Sequence, residues 1–580
     1  MPRAFTAALT AALVLGATPA FLALPAFGRP PAGPQRQAGG CANEAGLSLP
    51  PGFCASIFAQ GLGHARQIAV AADGTVYVNT WSSALFQTKP DPQAGYLVAL
   101  RDTQGTGHAD RIARFGPTPA QGSIGGTGIA LHGGYLYAEV DDTIRRFARA
   151  PGALGLEGAG EAIVTGLPMA GDHAMKPIAI DTHGTLFVNV GSASNTCEML
   201  NRQPGSKGHA PCTELLTRAG IWAFSADRPG QVFSAAQRYA TGIRNTGGMT
   251  FDPSGRMLAV QHGRDQLHQN WPALYTLQQG VENPAEELIA PTKGADFGWP
   301  YCYYDTARKH LVLAPEYDGD GGRATGPCAT KRAPVAAFPA HWAPTGVVWY
   351  GRGAAPGRFP AAWSDGVFIA FHGSWNRAPA PQDGFKVYFQ PMRDGRAAAP
   401  ATLFADGFAG PNRAYGRAAH RPTGIATGPD GALYVSDDAG GRVWRITYRG
   451  PANAPRVAAR AVAVTGPAVA PAASSPRALP PGITAAQVAL GERIYRGAER
   501  EGTCAGCHGA DGHGTALAPA LTGPAWLWAD GSVASLARVI EQGVTKPRKF
   551  PGAMPARGGA TLSDSDVQAV AAYVWSLSHP

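Results

Sequence analysis

Asp430-Gly-Ala-Leu-Tyr-Val435 joins a turn dipeptide to alternating small, apolar and aromatic residues, and the same grammar recurs five more times. The copies are Asp73-Gly-Thr-Val-Tyr-Val78, Gly133-Gly-Tyr-Leu-Tyr-Ala138, His183-Gly-Thr-Leu-Phe-Val188, Ser254-Gly-Arg-Met-Leu-Ala259 and Asp365-Gly-Val-Phe-Ile-Ala370. Glycine supplies the positive φ of a tight hairpin, and β-branched and aromatic residues fit a pleated strand. Six copies predict a six-bladed, all-β propeller. Their starts lie 50 to 111 residues apart, so long loops must project from some blades. Radial repetition hides most strand edges, whereas a β-sandwich would not need such wide, regular spacing.

Composition agrees with that reading. At 580 residues the chain exceeds one ordinary core. Gly and Pro number 76 and 50 while charged residues are only 15%, which suits a turn-rich β protein and excludes a coiled coil. A hydrophobic content of 45% excludes wholesale disorder. The net charge of +9 is not a nucleic-acid signal once it is divided along the chain. Three arginines lie in 1–36 and three in 450–482, both without an acid, and 483–580 balances eight basic against eight acidic side chains, leaving +3 for the body between. No basic stripe remains.

Residues 1–36 read as an export leader: Arg3 opens it, Ala4 to Phe27 is uncharged, and Pro19 and Pro25 argue against a core helix. An uncleaved anchor and a lipid-modified Cys41 stay open as membrane attachments. An exported, periplasmic chain would keep disulfides. Outside the 504/507 pair, the order of the cysteines suggests local bridges 41–54, 197–212 and 302–328, although six cysteines allow fifteen connectivities.

After the propeller region, 37–449, the composition shifts at 450–482 to an Ala/Pro-rich linker. Helical periodicity then appears at Ala485–Gly497, Val533–Gly543 and Ser563–Leu577, the last with a Ser563/Asp566 capping box, giving a small all-α domain over 483–580. Within it stands Cys504-Ala-Gly-Cys507-His508. Two thiols three positions apart can each bond one vinyl group of a porphyrin, with the adjacent imidazole held beneath the iron, so the motif predicts covalent haem c. A zinc site would need a second cysteine pair, and a thioredoxin-like site a βαβ context. Met554, the only methionine after Met392, is the expected second iron ligand beside His508, and Pro519 the expected source of a carbonyl for the imidazole. The region resembles class I cytochromes c, which implies that Gly491 and Tyr573 mark the crossing of its first and last helices.

A tethered electron carrier calls for an electron source in the propeller. No Gly-x-Gly-x-x-Gly opens a βαβ unit there. Instead Gly171-Asp-His173, Gly242-Ile-Arg-Asn245 and Arg421-Pro-Thr-Gly424 each precede a strand signature by a similar offset. Equivalent offsets in different blades converge on one channel mouth, where arginines suit a polycarboxylate and histidine suits proton abstraction. These clusters, with Thr241-Gly-Ile-Arg-Asn245, Gly263-Arg-Asp265, Ala285-Glu-Glu287, Ala295-Asp-Phe-Gly-Trp-Pro300 and Phe371-His-Gly-Ser-Trp-Asn-Arg377, resemble the glucose/sorbosone dehydrogenases over about Leu47 to Arg449. Those are six-bladed sugar dehydrogenases that use pyrroloquinoline quinone (PQQ).

The resemblance implies His173 as general base, oriented by Asp172, and Arg244 on a quinone carbonyl. It implies that Asn245, Arg421 and Arg377 also hold PQQ. It further implies calcium, with Glu286, Glu287 and the carbonyls of Gly263, Arg264 and Phe297 as its oxygen shell; the plain alternative is a solvated acidic loop. The stretch His372-Gly-Ser-Trp375 stands where a relative donates a lysine, and the second blade offers no clear glutamine near Ser123 to Gly128. The expected function is a periplasmic quinohaemoprotein dehydrogenase that oxidises a sugar or related polyol and feeds its own haem, then an onward cytochrome or oxidase. One alternative is an eight-bladed alcohol dehydrogenase with a cytochrome tail, disfavoured by six signatures and no adjacent cysteines. The other is a propeller that only binds a ligand or partner.

Overall fold

The computed structural model describes residues 36–37, 41–42, 45–81, 95–117, 125–462 and 478–579, apart from 151, 354, 356, 375, 378–379, 381, 412, 414–417, 498, 501–503, 510–511, 515–517, 546, 551–552 and 561. Residues 1–35 of the expected leader and the side chain of Cys41 lie outside the described residues. Each strand signature falls at the first hairpin of a blade. In five of them the turn glycine takes the positive φ, at Gly74, Gly134, Gly184, Gly255 and Gly431; in the fifth blade Asp365 takes it instead (φ 58°), because Gly366 already lies in the strand.

The inner strands are His64–Val70, Ile129–His132, Ile178–Ile180, Thr246–Phe251, Pro344–Tyr350 and Pro422–Thr427, each starting a sheet of four or five strands. The sixth blade is completed from the other end of the propeller: Phe53–Ala59 pairs antiparallel with Val443–Tyr448 and closes the ring. At the axis the inner strands approach closely. A Cβ on Gly128, Gly247, Gly346 or Gly424 would lie 2.1–2.4 Å from the backbone oxygen of Lys176, Pro344, Thr423 or Arg66 respectively, so only glycine fits there. Gln67 crosses the axis, donating from Nε2 to Gly247 O at 2.9 Å and to Thr345 O.

One buried ion pair ties the second blade to the third. Glu139 accepts from Thr127 N at 2.8 Å, Gly128 N at 3.1 Å and Lys176 N at 3.1 Å, and pairs with Lys176 Nζ at 3.3 Å. Lys176 is three residues beyond His173, so this knot fixes the segment that carries the predicted base. Two expected disulfides form, Cys197–Cys212 and Cys302–Cys328, and Cys54 is disulfide-bonded.

The stretch expected as an Ala/Pro-rich linker is partly held against the propeller. Ala459 N donates to Leu403 O at 2.9 Å, Arg413 Nη2 to Val462 O at 2.8 Å, and the Arg456 guanidinium stacks over Phe389. These contacts satisfy backbone groups at the outer side of the fifth blade. Residues 463–477 of it lie outside the described residues.

The C-terminal helices are Ala485–Tyr495, Cys504–His508, Val533–Gln542 and Asp564–Leu577. The Ser563/Asp566 capping box is present, with Asp566 N donating to Ser563 Oγ at 3.2 Å. The first and last helices cross at Gly491, where a Cβ would stand 1.9 Å from Ala569 O and 3.0 Å from Tyr573 Cβ. Among the described residues no helix is long and apolar enough to cross a membrane.

Two stability measurements follow from this packing. Gly491→Val should lower the unfolding transition of the helical domain, seen by far-ultraviolet circular dichroism, at a cost of about 1–3 kcal/mol for overpacking. Glu139→Ala leaves Lys176 as a buried unpaired charge and should cost about 3–5 kcal/mol in urea unfolding. A midpoint unchanged in either variant would contradict the corresponding contact.

Candidate functional site

The catalytic candidates come from two kinds of backbone position on one rim. Asp172–His173, Arg244–Asn245 and His341 precede inner strands, while Ser192, His262–Asp265 and Ser374 follow second strands. Hairpin geometry puts both ends at the same face, and His173, Arg244, His262, His341, Glu286 and Asn376 line one cavity there. The expectation that distant blades contribute to a shared hollow is thus met for His173 and Arg244.

Asp172 does not orient His173. The His173 Nδ1 lies 2.9 Å from Ser192 Oγ and 3.1 Å from Ser192 O. Ser192 Oγ donates its own proton to Ser194 O at 2.6 Å, so both Ser192 oxygens act as acceptors toward the ring. Nδ1 therefore carries the hydrogen, and Nε2 keeps its lone pair. Burial, then the charges of Arg244 and Arg202, hold this imidazole well below its ordinary pKa. It is neutral at neutral pH.

Asp172 instead joins a charge chain. Arg202 donates from Nε to Asp172 Oδ2 at 2.8 Å and from Nη2 to Asp265 Oδ2 at 3.0 Å. Arg244 Nη2 donates to the same Asp265 oxygen at 2.9 Å. Burial pushes Asp172 upward against the pull of Arg202; it acts likewise on Asp265, yet Arg244 and Arg202 prevail there and hold that carboxyl well below the usual range. Arg244 also donates to Asn195 O at 3.1 Å, Asn195 Oδ1 at 3.0 Å and Gly263 O at 2.9 Å. A guanidinium has five N–H groups, so one on Nη1 is left for the cavity. Asn376 donates to Asp265, and its Oδ1 is a buried acceptor with no partner among the described residues.

Three other expected PQQ contacts lie away from this cavity. Asn245 sits behind its wall, accepting from Asn189 Nδ2 at 3.1 Å. Arg377 donates to Val281 O at 3.3 Å and Ala340 O at 3.2 Å. Arg421 donates to His372 O at 3.3 Å and to Gly373 O, in a neighbouring group where Asp438 pairs with Arg66 and with His372 Nε2.

The expected calcium shell is not assembled. Glu286 and Glu287 are consecutive in a strand and point to opposite faces. Glu286 accepts from Gly263 N at 3.1 Å and Ala343 N at 2.9 Å, whereas Glu287 accepts from Gln261 Nε2 at 2.6 Å on the other side. Gly263 O already receives Arg244, and neither Arg264 nor Phe297 lines the cavity that Glu286 faces. Burial pushes Glu286 up to about 8 and Glu287 to about 7. These residues do not fit a single hard cation.

In the helical domain, Cys504, Cys507, His508 and Met554 line a second, apolar cavity with Leu536 and Val570. His508 Nδ1 lies 2.9 Å from Pro519 O, so it donates there and presents Nε2 inward. Met554 is held by a two-way backbone bridge to Val544, at 2.8 and 2.9 Å. Donor set, apolar lining and tautomer together fit a haem that Cys504 and Cys507 would anchor and whose iron His508 and Met554 would hold. Cys507 lines both cavities, and Ala553 and Pro555 roof the propeller cavity from the helical side.

Ser192, Arg202, His262 and His341 escaped the sequence reading, and Asp265 and Asn376 entered it only within matched segments, without a role. His341 has only its place three residues before an inner strand to mark it, since it stands 24 residues ahead of its blade's turn signature where Arg244 stands ten ahead. Arg202 carries no such signal.

Residues 47–449 match the family model described as TrAA12-like, and 486–574 match that of cytochrome C oxidase, cbb3-type, subunit III. An uncharacterized protein of Borreliella burgdorferi is 30% identical over 213 residues, 36% of this chain and 48% of that protein. A pyrroloquinoline quinone-dependent pyranose dehydrogenase of Coprinopsis cinerea is 26% identical over 239 residues, 35% of this chain and 30% of the relative. The chain thus spans less than half the length of these curated relatives. Among solved structures, the iodide structure of the Trichoderma reesei family AA12 enzyme matches with a TM-score of 0.54 at 19% identity, covering 69% of this chain and 97% of that one. The holo PQQ domain of the Coprinopsis cinerea pyranose dehydrogenase matches at 0.53 and 21%, covering 72% and 99%. At such identities the structures share the fold. With its six blades matched from Leu47 to Arg449, the chain belongs to the TrAA12-like family, its propeller similar to those of PQQ-dependent sugar dehydrogenases and joined to a helical domain that matches a cbb3-type cytochrome c family model.

Proposed function

We propose that the chain is a periplasmic, PQQ-dependent sugar dehydrogenase that passes its electrons to a haem c on the same polypeptide. The observation that carries this reading is Cys507, a haem-attachment thiol whose side chain lines both the helical cavity and the cavity of His173 and Arg244. The polar cavity supplies what a polycarboxylate quinone needs, Arg244 with an N–H to give and Arg202 beside it, while the unpartnered Asn376 Oδ1 would accept from an N–H or a hydroxyl there. When bound, PQQ supplies a two-electron sink for the hydrogen on a sugar carbon, and haem c a one-electron relay.

The chain's own residues do the rest. His173 Nε2 accepts the hydroxyl proton, with Ser192 fixing the tautomer. Arg244 stabilises negative charge developing on an oxygen in the cavity. Cys504 and Cys507 anchor the porphyrin, and His508 and Met554 hold its iron. Oxidising one CH–OH to C=O releases two electrons and two protons, and one iron takes one electron at a time. Two passages and an onward acceptor, a cytochrome or an oxidase, therefore follow each turnover. The disulfides support a periplasmic setting.

The test is to add PQQ to the haem-loaded full chain and follow haem absorption across a panel of aldoses, other pyranoses and polyols. Reduction by at least one is expected; none with any of them would favour the binding-only propeller. His173→Ala should slow that reduction about 10²- to 10⁴-fold, while the haem spectrum after chemical reduction stays that of the wild type. The pH profile carries a sign. Because burial and two guanidiniums depress the His173 pKa, its base form persists as pH falls through 6.5, the ordinary value. The rate of haem reduction at limiting sugar should stay flat there and decline only at more acidic pH; a midpoint at or above the ordinary value would contradict the assignment.

A further inference from the structure

The Cys197–Cys212 disulfide closes a loop whose two consecutive residues face different bodies. Arg202, in the left-handed region at φ 61°, turns its guanidinium into the propeller cavity. Gln203 turns the other way and meets the helical domain with both ends of its amide. Its Nε2 donates to Met554 O at 3.1 Å, and its Oε1 accepts from Ala556 N at 2.8 Å. Only 7% of the surface of Gln203 remains exposed, so its amide is largely removed from water. The two backbone groups flank Pro555, which with Ala553 and Cys507 roofs the cavity. Close beside them a Cβ on Gly559 would come within 3.4 Å of Gln266 Nε2, and Gln266 Oε1 in turn accepts from Arg202 Nη1 at 3.2 Å.

A primary amide that gives one bond and takes one from the same backbone segment fixes both position and orientation, as two parallel bonds resist rotation where one does not. We propose that Gln203 is a positioning residue for electron transfer: it seats the Met554–Ala556 segment on the propeller mouth and holds Cys507 against the cavity. The seat rests on the contacts above; its consequence for electron flow rests on the function proposed in the preceding subsection. Because two electrons leave per sugar oxidised and the iron carries one at a time, the seat is used twice per turnover, with the onward acceptor taking both. An amide also lets the segment leave more easily than an ion pair would, since each neutral bond is modest in net strength.

The experiment uses the full-length, haem-loaded chain, with Gln203→Ala and the size-conserving Gln203→Glu. Hydrogen exchange at the Ala556 amide should be slow in the wild type and about tenfold or more faster in Gln203→Ala, the effect expected from losing both hydrogen bonds. With PQQ added, sugar-driven haem reduction should slow by a similar factor in Gln203→Ala and by less in Gln203→Glu. Turnover with a small diffusible acceptor, the haem spectrum and the haem potential should all match the wild type. Equal exchange at Ala556 in wild type and variant would overturn the seat. Diffusible-acceptor turnover falling in step with haem reduction would overturn it too, since Gln203 would then serve the cavity and not the docking. Haem left oxidised by every sugar in the wild type would sink the dehydrogenase reading instead, and the exchange comparison would decide the seat alone.

Discussion

Four charges in alternating sign, Asp172, Arg202, Asp265 and Arg244, run in series through the propeller mouth, and the cavity depends on their balance. Each arrives on a different stretch of chain: the approach to the third blade, the disulfide-closed loop, the loop after Gln261, and the approach to the fourth blade. None has enough water to stand alone. Removing any one leaves its neighbour as a buried, uncompensated charge, which costs far more than a surface ion pair is worth. The chain therefore holds four loops in one arrangement while contributing almost no net charge. His173 sits beside its cationic end, and that is a physical cause of a neutral imidazole in addition to burial.

The second constraint is geometric. Propeller and helical domain belong to one compact unit, Arg36–Pro580, and their two cavities share the side chain of Cys507. A covalently tethered acceptor meets its donor at high effective concentration. Part of the intervening stretch is held on the fifth blade as far as Val462. The helical domain also roofs the mouth through which a sugar would enter, which ties access to the same contact that brings the cavities together.

Legibility varied with how local each signal was. The six hairpin signatures were readable because a positive φ and a strand face are properties of neighbouring residues. A second signature went unread: Thr127-Gly128, Thr246-Gly247, Thr345-Gly346 and Thr423-Gly424 all begin or precede inner strands, and each glycine is needed where the next blade's backbone presses in. Cys504-Ala-Gly-Cys507-His508 was readable for the same local reason, and Pro519 supplied the anticipated carbonyl. The orienting partner of His173 was misjudged. The resemblance implied Asp172, but the ring turns to Ser192, nineteen residues away, because Asp172 is claimed by Arg202. Glu286 and Glu287 misled in the opposite way, since strand alternation sends neighbours apart.

Sequence by itself determined the blade number, the positions of the tight turns, the capped helices and the pair of thiols next to a histidine, all of which arise from interactions within a few residues. Tertiary structure decided which side chains face the cavity, which proton His173 carries, how Arg202 and Gln203 divide between two bodies, and which cysteine stands between them. The physical reason is that hydrogen bonds and ion pairs across blades are allotted by competition. A donor goes to the acceptor that burial has left unsatisfied, and burial exists only once the ring has closed.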